Sequence, residues 1–225
     1  MELAEAGASR LVDLSHPIDD GMTTYPGLPA PVVTEFWSRE STRGRYAEET
    51  TFQIGRIEMI ANTGTYIDAP FHRFEQGLDV ASLPLQNVAN LEGSLIDATG
   101  RTGRGLDESV FAGKSLRGRA VLVQTGWAVH WRTPKYGTGH PFLTRSAVEL
   151  LVREGAGLVG IDSLNIDDAE DLSRPAHTLL LAAGIPIVEH LRGLEALPAE
   201  GFRFFAVPPP VRGLGSFATR AFALI

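Results

Sequence analysis

The chain has 225 residues, no cysteine and a formal net charge of −7. That length predicts one domain, 1–225, able to bury a core without cross-links. The lack of cysteine excludes disulfides, thiolate zinc sites and cysteine nucleophiles, and the negative charge, with no basic block, argues against nucleic acid or an anionic membrane as partner.

In chain order, Met1 to Arg10 is acidic and Ala-rich and lacks the pattern of a secretory signal. No apolar run reaches the ~20 residues of a membrane-crossing helix, and the expected location is the cytoplasm. Leu11 to Ser15 reads as a short strand, followed by a loop through Asp19, Asp20, Gly21 and Pro26. Phe52, Ile54, Ile57 and Met59 predict extended structure with a register change near Gly55. Strands are expected at Ser94–Ala98 and Ala120–Thr125, with a surface excursion over 100–118. Thr144 or Ser146 caps a helix with Ala147, Leu150 and Leu151 on its apolar face, and Gly155 ends it. Leu158 to Ile161 is a buried strand. Ser173 and Pro175 open a second helix through Leu179 and Leu180, closed by Gly184. Ile185–Val188, Phe202–Val207 and Phe217–Leu224 complete the strands. A strand-rich first half and an alternating second half predict an α/β fold with a central β core and flanking helices.

The segment Asn62-Thr63-Gly64-Thr65-Tyr66-Ile67-Asp68-Ala69-Pro70-Phe71-His72 carries the chemistry. In a regular strand positions 62 and 66 would lie ~13 Å apart. Cooperation between them requires the backbone to fold back at Thr63-Gly64-Thr65, which Gly64 permits, and Pro70 stiffens the path to His72. An acid, an imidazole and a phenol then converge.

This segment resembles the cyclase family of metal-dependent hydrolases, which includes bacterial kynurenine formamidases and isatin hydrolases. The family pattern is His-x-Gly-Thr-His-x-Asp-x-Pro-x-His. Gly64, Thr65, Asp68, Pro70 and His72 match it, whereas Asn62 and Tyr66 stand where the family has two histidines. Asp13 to Ile18, Tyr25-Pro26-Gly27, Leu158 to Asp162 and Arg220 fit the remaining family segments. The resemblance implies a swivelling β/β/α fold and a homodimer or homotetramer, with the Pro-rich Val207–Val211 segment as a candidate interface. It also implies a metal set of Asp68, His177 and Glu189, with His72 as the proton carrier. Two carboxylates and one imidazole suit one divalent ion, zinc or manganese, with magnesium also compatible. The second ion of the family, which depends on positions 62 and 66, lacks its ligands.

Three functions follow from that altered site. The first is hydrolysis of an amide or lactam in a small aromatic or cyclic molecule, with Tyr66 donating to the developing oxyanion. Asn62, Trp37, Phe71 and Trp127 are the candidate substrate contacts. The second is metal-free cyclisation, dehydration or isomerisation by Asp68, His72, Tyr66 and Glu189, in which like-charge repulsion raises one carboxyl pKa. The third is a non-catalytic small-molecule binding protein. His16 is placed near the site, and His140 is read as structural. His130 and His190 are read as surface residues. The acidic run Asp162, Asp167, Asp168, Glu170 and Asp171 lacks the EF-hand pattern and reads as a solvated loop, while Ser163 and Asn165 are placed to reach the pocket. No phosphate loop or dinucleotide fingerprint occurs, so no nucleotide cofactor is expected.

Overall fold

The computed structural model describes residues 10–225. The first half contains β1 (Leu11–Asp13), β2 (Val32–Trp37), α1 (Arg39–Thr42), β3 (Ile54–Glu58), β4 (Tyr66–Asp68), β5 (Leu91–Asp97) and β6 (Gly105–Leu106). Then follow β7 (Ala120–Gln124), β8 (Phe142–Leu143), α2 (Arg145–Glu154), β9 (Leu158–Ile161), α3 (Pro175–Ala182) and β10 (Ile187–Glu189). The last strands are β11 (Glu200–Phe205), β12 (Ser216–Ala218) and β13 (Phe222–Leu224).

Among the described residues nine strands form one mixed sheet in the order β1-β13-β11-β5-β7-β9-β10-β4-β12. This sheet cannot be flat. β13 is second and β12 ninth in that order, which in a flat sheet is roughly 34 Å of separation. The link between them, Thr219 to Ala221, spans at most about 14 Å. The sheet therefore curls until its two ends meet. The seam is visible in the Ser15–Leu191 bridge and in the bond from the Thr219 amide to the Thr65 carbonyl (2.9 Å). The expected single strand Phe217–Leu224 is two strands for this reason, with the seam between them.

The curled sheet has an apolar layer on each side. α2 and α3 cover one side with Ala147, Val148, Leu151, Ala176 and Leu180 against Val121, Val159 and Ile187. Leu14, Ile67, Leu122, Val188, Phe202 and Phe204 fill the other. α2 begins and ends where its sequence predicts: the Thr144 hydroxyl accepts from the Ala147 amide, and Gly155 takes the left-handed conformation at φ +74°. The excursion 100–118 is only partly on the surface, because Leu106, Val110, Phe111 and Leu116 are buried. β2 and β3 form a separate ribbon. Its register slips between Glu35 and Trp37, opposite Gly55, and Val32, Phe36, Ile54 and Ile57 are exposed. No helix among the described residues is long and apolar enough to cross a membrane.

Candidate active site

Three residues of β4 set the frame. Tyr66 and Asp68 share one face and Ile67 takes the other, where it joins the core. β10 pairs Glu189 with Tyr66, and β12 pairs Ser216 with Asp68. Upstream, Gly64 takes φ +68°, a conformation costly for side chains with a Cβ. The chain folds back as expected, and the Asn62 amide donates to Asp68 Oδ1 at 3.4 Å.

Downstream, Pro70 starts a tight turn over Pro70–His72. A Cβ at position 215 would fall 2.4 Å from His72 Cα, so glycine there lets the turn lie against β12. Ser216 then reaches both neighbours. Its hydroxyl donates to Asp68 Oδ1 and lies 2.9 Å from His72 Nδ1. With its single proton given to Asp68, the hydroxyl oxygen accepts from His72 Nδ1–H, which leaves Nε2 with its lone pair.

His177 comes from the first turn of α3. That helix has Arg174 at its cap with no capping side-chain bond, so its amides need another acceptor. Asp167 provides it, accepting from the Ala176 amide at 2.6 Å and the His177 amide at 3.1 Å. The same carboxylate lies 2.7 Å from His177 Nδ1. Nε2 is thereby turned toward the centre, 3.7 Å from Asp68 Oδ2 and 3.9 Å from Glu189 Oε1. Both Glu189 oxygens are engaged: Oε1 accepts from the Ile166 amide at 2.6 Å, and Oε2 accepts from the Tyr66 hydroxyl.

The electrostatics follow from burial. Burial, with the Glu189 and Asp68 carboxylates beside it, pushes the Tyr66 phenol well above its ordinary value, so it is a neutral donor. Burial works against the charged form of His177, but bonds to Asp167 and Asp68 and the Glu189 charge outweigh it and raise the imidazole to about 10. Burial also lifts Glu189 to about 7 against the opposing charge of His177. Asp68 would rise for the same reason, yet His177, His72 and Ser216 hold it below the carboxylate range. Asp68 Oδ2 is buried with no hydrogen-bond partner. Asp68, His72 and His177 offer ligand atoms all within 4.8 Å of one another. An unpaired buried carboxylate oxygen beside two converging imidazoles fits a divalent cation.

The fold thus gathers Tyr66, Asp68, His72, His177 and Glu189, with Asn62 at the edge. Tyr66 spends its only proton on Glu189, the proton that an oxyanion role requires. Phe71 is half-buried inside the Pro70–His72 turn. Trp37 packs with Phe36 and under Arg45 on the ribbon. Trp127 donates to the Tyr136 carbonyl at 3.1 Å and packs with His130 and Lys135.

Several residues differ from their expected settings. His190 is not on the surface; it is fully buried against Tyr66 and Tyr136. His130 is half-buried. Asp162 and Asp167 are buried too, because each satisfies backbone donors. Asp162 accepts from the Thr125 amide at 2.7 Å and the Gly126 amide at 2.8 Å. Ser163 and Asn165 brace that turn, Ser163 donating to the Asn165 carbonyl and Asn165 accepting from the Asp167 amide. His140 is structural as expected, with Nδ1 3.1 Å from the Pro141 carbonyl. Sequence reasoning missed Ser216 and the role of Asp167. A helix entered through Arg174-Pro175 without its own cap is a usable signal for a remote acid; nothing local marks Ser216.

A family model described as "Putative cyclase" matches residues 12–168. A kynurenine formamidase of Bacillus cytotoxicus is 29% identical over 89% of this chain and 90% of its own length. One of Erythrobacter litoralis is 30% identical over 84% and 85%. Among solved structures, a potential metal-dependent hydrolase with cyclase activity superposes with a TM-score of 0.79 at 26% identity, covering 96% of this chain and 98% of the other. Isatin hydrolase A from Labrenzia aggregata superposes with a TM-score of 0.83 at 23% identity, covering 99% and 96%, a likeness of fold.

Proposed function

This chain belongs to the putative cyclase family, and from that premise we propose that it is an enzyme, a divalent-metal-dependent hydrolase that opens an amide or lactam bond in a small aromatic or cyclic molecule. The observation that carries this reading is the convergence of Asp68, His72 and His177 within 4.8 Å around an unpartnered carboxylate oxygen. The relatives' names, kynurenine formamidase and metal-dependent hydrolase, support the reaction class.

Asp68, His72 and His177 hold the ion. This differs from the set expected from the family pattern, in which Glu189 was the third ligand and His72 the proton carrier. Glu189 already accepts two hydrogen bonds, and it ties β4 to the Ile166 turn. When bound, a divalent ion in this cradle supplies carbonyl polarisation and a water of lowered pKa. Asp167 fixes the His177 ring so that Nε2 faces the centre, and Ser216 does the same for His72 and Asp68. Tyr66 donates its proton to Glu189 beside the cluster and so holds that carboxylate in place. The His72 side chain is 37% exposed against 0% for Asp68, so His72 marks the side from which substrate enters.

The test is elemental analysis of protein purified without added metal, paired with turnover of an aryl formamide before and after chelation. One equivalent of divalent ion, with turnover lost on chelation and recovered on reloading, is the expected result. Full turnover by metal-free protein defeats the reading. His72→Ala assigns that residue: loss of the ion makes it a ligand, and a retained ion with turnover down roughly 100-fold returns it to proton transfer.

A second reading rests on a different observation. Asp68 is held low while Glu189 is raised to about 7, the divergence expected of an acid and a base sharing one site. A metal-free cyclase, dehydratase or isomerase uses that pair, and its signature is turnover that survives chelation.

Zinc or manganese is the ion the nitrogen and oxygen donors favour. The chain acts as one domain, 1–225, on a small-molecule substrate in the cytoplasm. A homodimer or homotetramer gives the exposed apolar β2–β3 ribbon a partner surface, since a lone two-stranded ribbon is marginal in water.

A further inference from the structure

Beside the carboxylate cluster lies a second group of buried polar atoms. Nε2 of His16, Nε2 of His190 and Nε of Arg192 are all buried without a hydrogen-bond partner. They come from two segments that meet at the Ser15–Leu191 bridge, so position 16 faces position 190 across an antiparallel pairing. Thr65 staples the two segments: its hydroxyl oxygen accepts from the His16 amide at 3.0 Å and its proton goes to the His190 carbonyl at 2.6 Å. Trp131 covers the pair, stacking on His16 at 4.0 Å and 11° and meeting His190 edge-on at 5.6 Å.

Two of these atoms are donors: Nε of Arg192 always carries a hydrogen, and Nε2 of His190 carries one for the following reason. Burial holds the Tyr136 phenol protonated, and its hydroxyl lies 3.0 Å from His190 Nδ1. With Nδ1 accepting that proton, the ring's own hydrogen sits on the unpartnered Nε2. Arg192 makes no ion pair among the described residues. Arg192 sits in the same pairing, its amide donating to the Leu14 carbonyl at 3.0 Å one step beyond the Ser15–Leu191 bridge; burial, and then the Arg192 and Arg132 guanidiniums, push His16 down to about 4. Arg132 is paired with Asp19; Arg192 is the charge left over. His190 also holds φ +58°, a strained conformation for a residue with a Cβ. Buried donors left without an acceptor are costly, and an unpaired cation next to them specifies an anion.

We infer that His16, His190 and Arg192 form a carboxylate-binding subsite covered by Trp131, and that the molecule it receives is an aryl acid. The aryl part follows from the walls, since Trp131 and Tyr136 are in T-shaped contact at 5.0 Å. The openings lie at the edges of the group: His16 borders a cavity of about 450 Å³ and Tyr136 a separate one of about 540 Å³, while His190, Arg192 and Trp131 line neither. The subsite adjoins the reaction centre through Tyr66, whose ring is 5.2 Å from that of His190. Taking this aryl acid as the substrate rests on the hydrolase reading; the anion subsite itself does not.

The experiment titrates the tryptophan fluorescence of the full chain with benzoate and with benzamide, a pair matched in shape and differing in charge. Both titrations are run on protein as purified and after chelation, so that carboxylate seated on an ion is separated out. Benzoate is expected to bind about tenfold or more tightly than benzamide, and Arg192→Gln to remove that preference while leaving benzamide unchanged. Arg192→Lys is expected to restore part of it. Equal affinities, or a preference that Arg192→Gln does not alter, overturn the subsite. Should Arg192→Gln fail to fold, the wild-type ratio after chelation decides alone. Turnover of 2-formamidobenzoate against formanilide separates the two ideas. Equal kcat/KM for both leaves the hydrolase and removes the subsite's role in selecting substrate. Turnover of neither, with the benzoate preference intact, removes the hydrolase and leaves the subsite.

Discussion

His177 and His190 both stand next to Glu189, and the fold drives them in opposite directions. Bonds to Asp167 and Asp68 outweigh burial and raise His177 to about 10. Burial dominates at His190 and lowers it to about 3, with the nearby His16 adding to the effect. Both residues are buried. The difference lies in the partner at Nδ1, a carboxylate for His177 and a phenol for His190. A buried imidazole given an anion becomes a cation or a metal ligand, whereas one given a neutral hydroxyl stays a neutral donor. One side of Glu189 is thus a place for a cation, and the other a place for an anion.

The largest expected effect comes from breaking the first region at its centre. Asp68→Ala removes the acid around which both cluster imidazoles are arranged. Ion content by elemental analysis is expected to fall to background, and turnover to fall by more than the ~100-fold that outer partners of a metal site typically cost. Retention of the ion by this variant excludes Asp68 as a ligand.

Next in size is the pH dependence of stability, which separates the two imidazoles in chelated protein. His190 and His16 have folded-state values lowered to about 3 and about 4, so the folded state binds fewer protons than the unfolded one between those values and 6.5. Their contribution is complete above about pH 6.5 and is lost as pH falls through about 4 for His16 and about 3 for His190. For His16 this amounts to roughly 3 kcal/mol. His177 is raised, so its contribution is complete below about 6.5 and is lost as pH rises through about 10. Urea denaturation across pH is expected to show both flanks. His190→Asn, which tolerates the left-handed backbone, is expected to reduce the acid flank to the part that His16 supplies and to leave the alkaline one. An unchanged acid flank contradicts the neutral-donor assignment.

The smallest of the three changes sharpens the contrast by altering only the partner of His177. Asp167→Asn keeps the shape and removes the charge. Ion affinity, followed by competition with a chromogenic chelator, is expected to drop roughly 10- to 100-fold, with the fold retained by circular dichroism. Wild-type affinity in this variant means that Asp167 serves only to cap α3.

Much of the fold can be read along the chain. α2 carries its own start at Thr144 and its own stop at Gly155, and β9 is a continuous apolar run. The fold-back at Gly64 is implied by the spacing of Asn62 and Asp68. Asp68, His72, His177 and Glu189 were found from a family pattern, and the fold brings them together. The residues that were missed have partners far away in sequence. Ser216 meets Asp68 across 148 positions, and Thr65 reaches the His190 carbonyl across 125. His190 stands between Glu189 and Leu191-Arg192, and the charges on either side point to the surface when only the sequence is read.

The sequence alone determined both longer helices and most core strands, the exclusion of thiol chemistry and the chemical types available at one kinked segment, because each depends on residues a few positions apart. The closure of the sheet decided the rest. Only when β12 and β13, joined by three residues, take the ninth and second places in a sheet that curls until its edges meet does Ser216 fall beside Asp68 and His16 opposite His190. Which imidazole meets a carboxylate and which meets a phenol is then settled by packing, and that contact sets the charge each one carries.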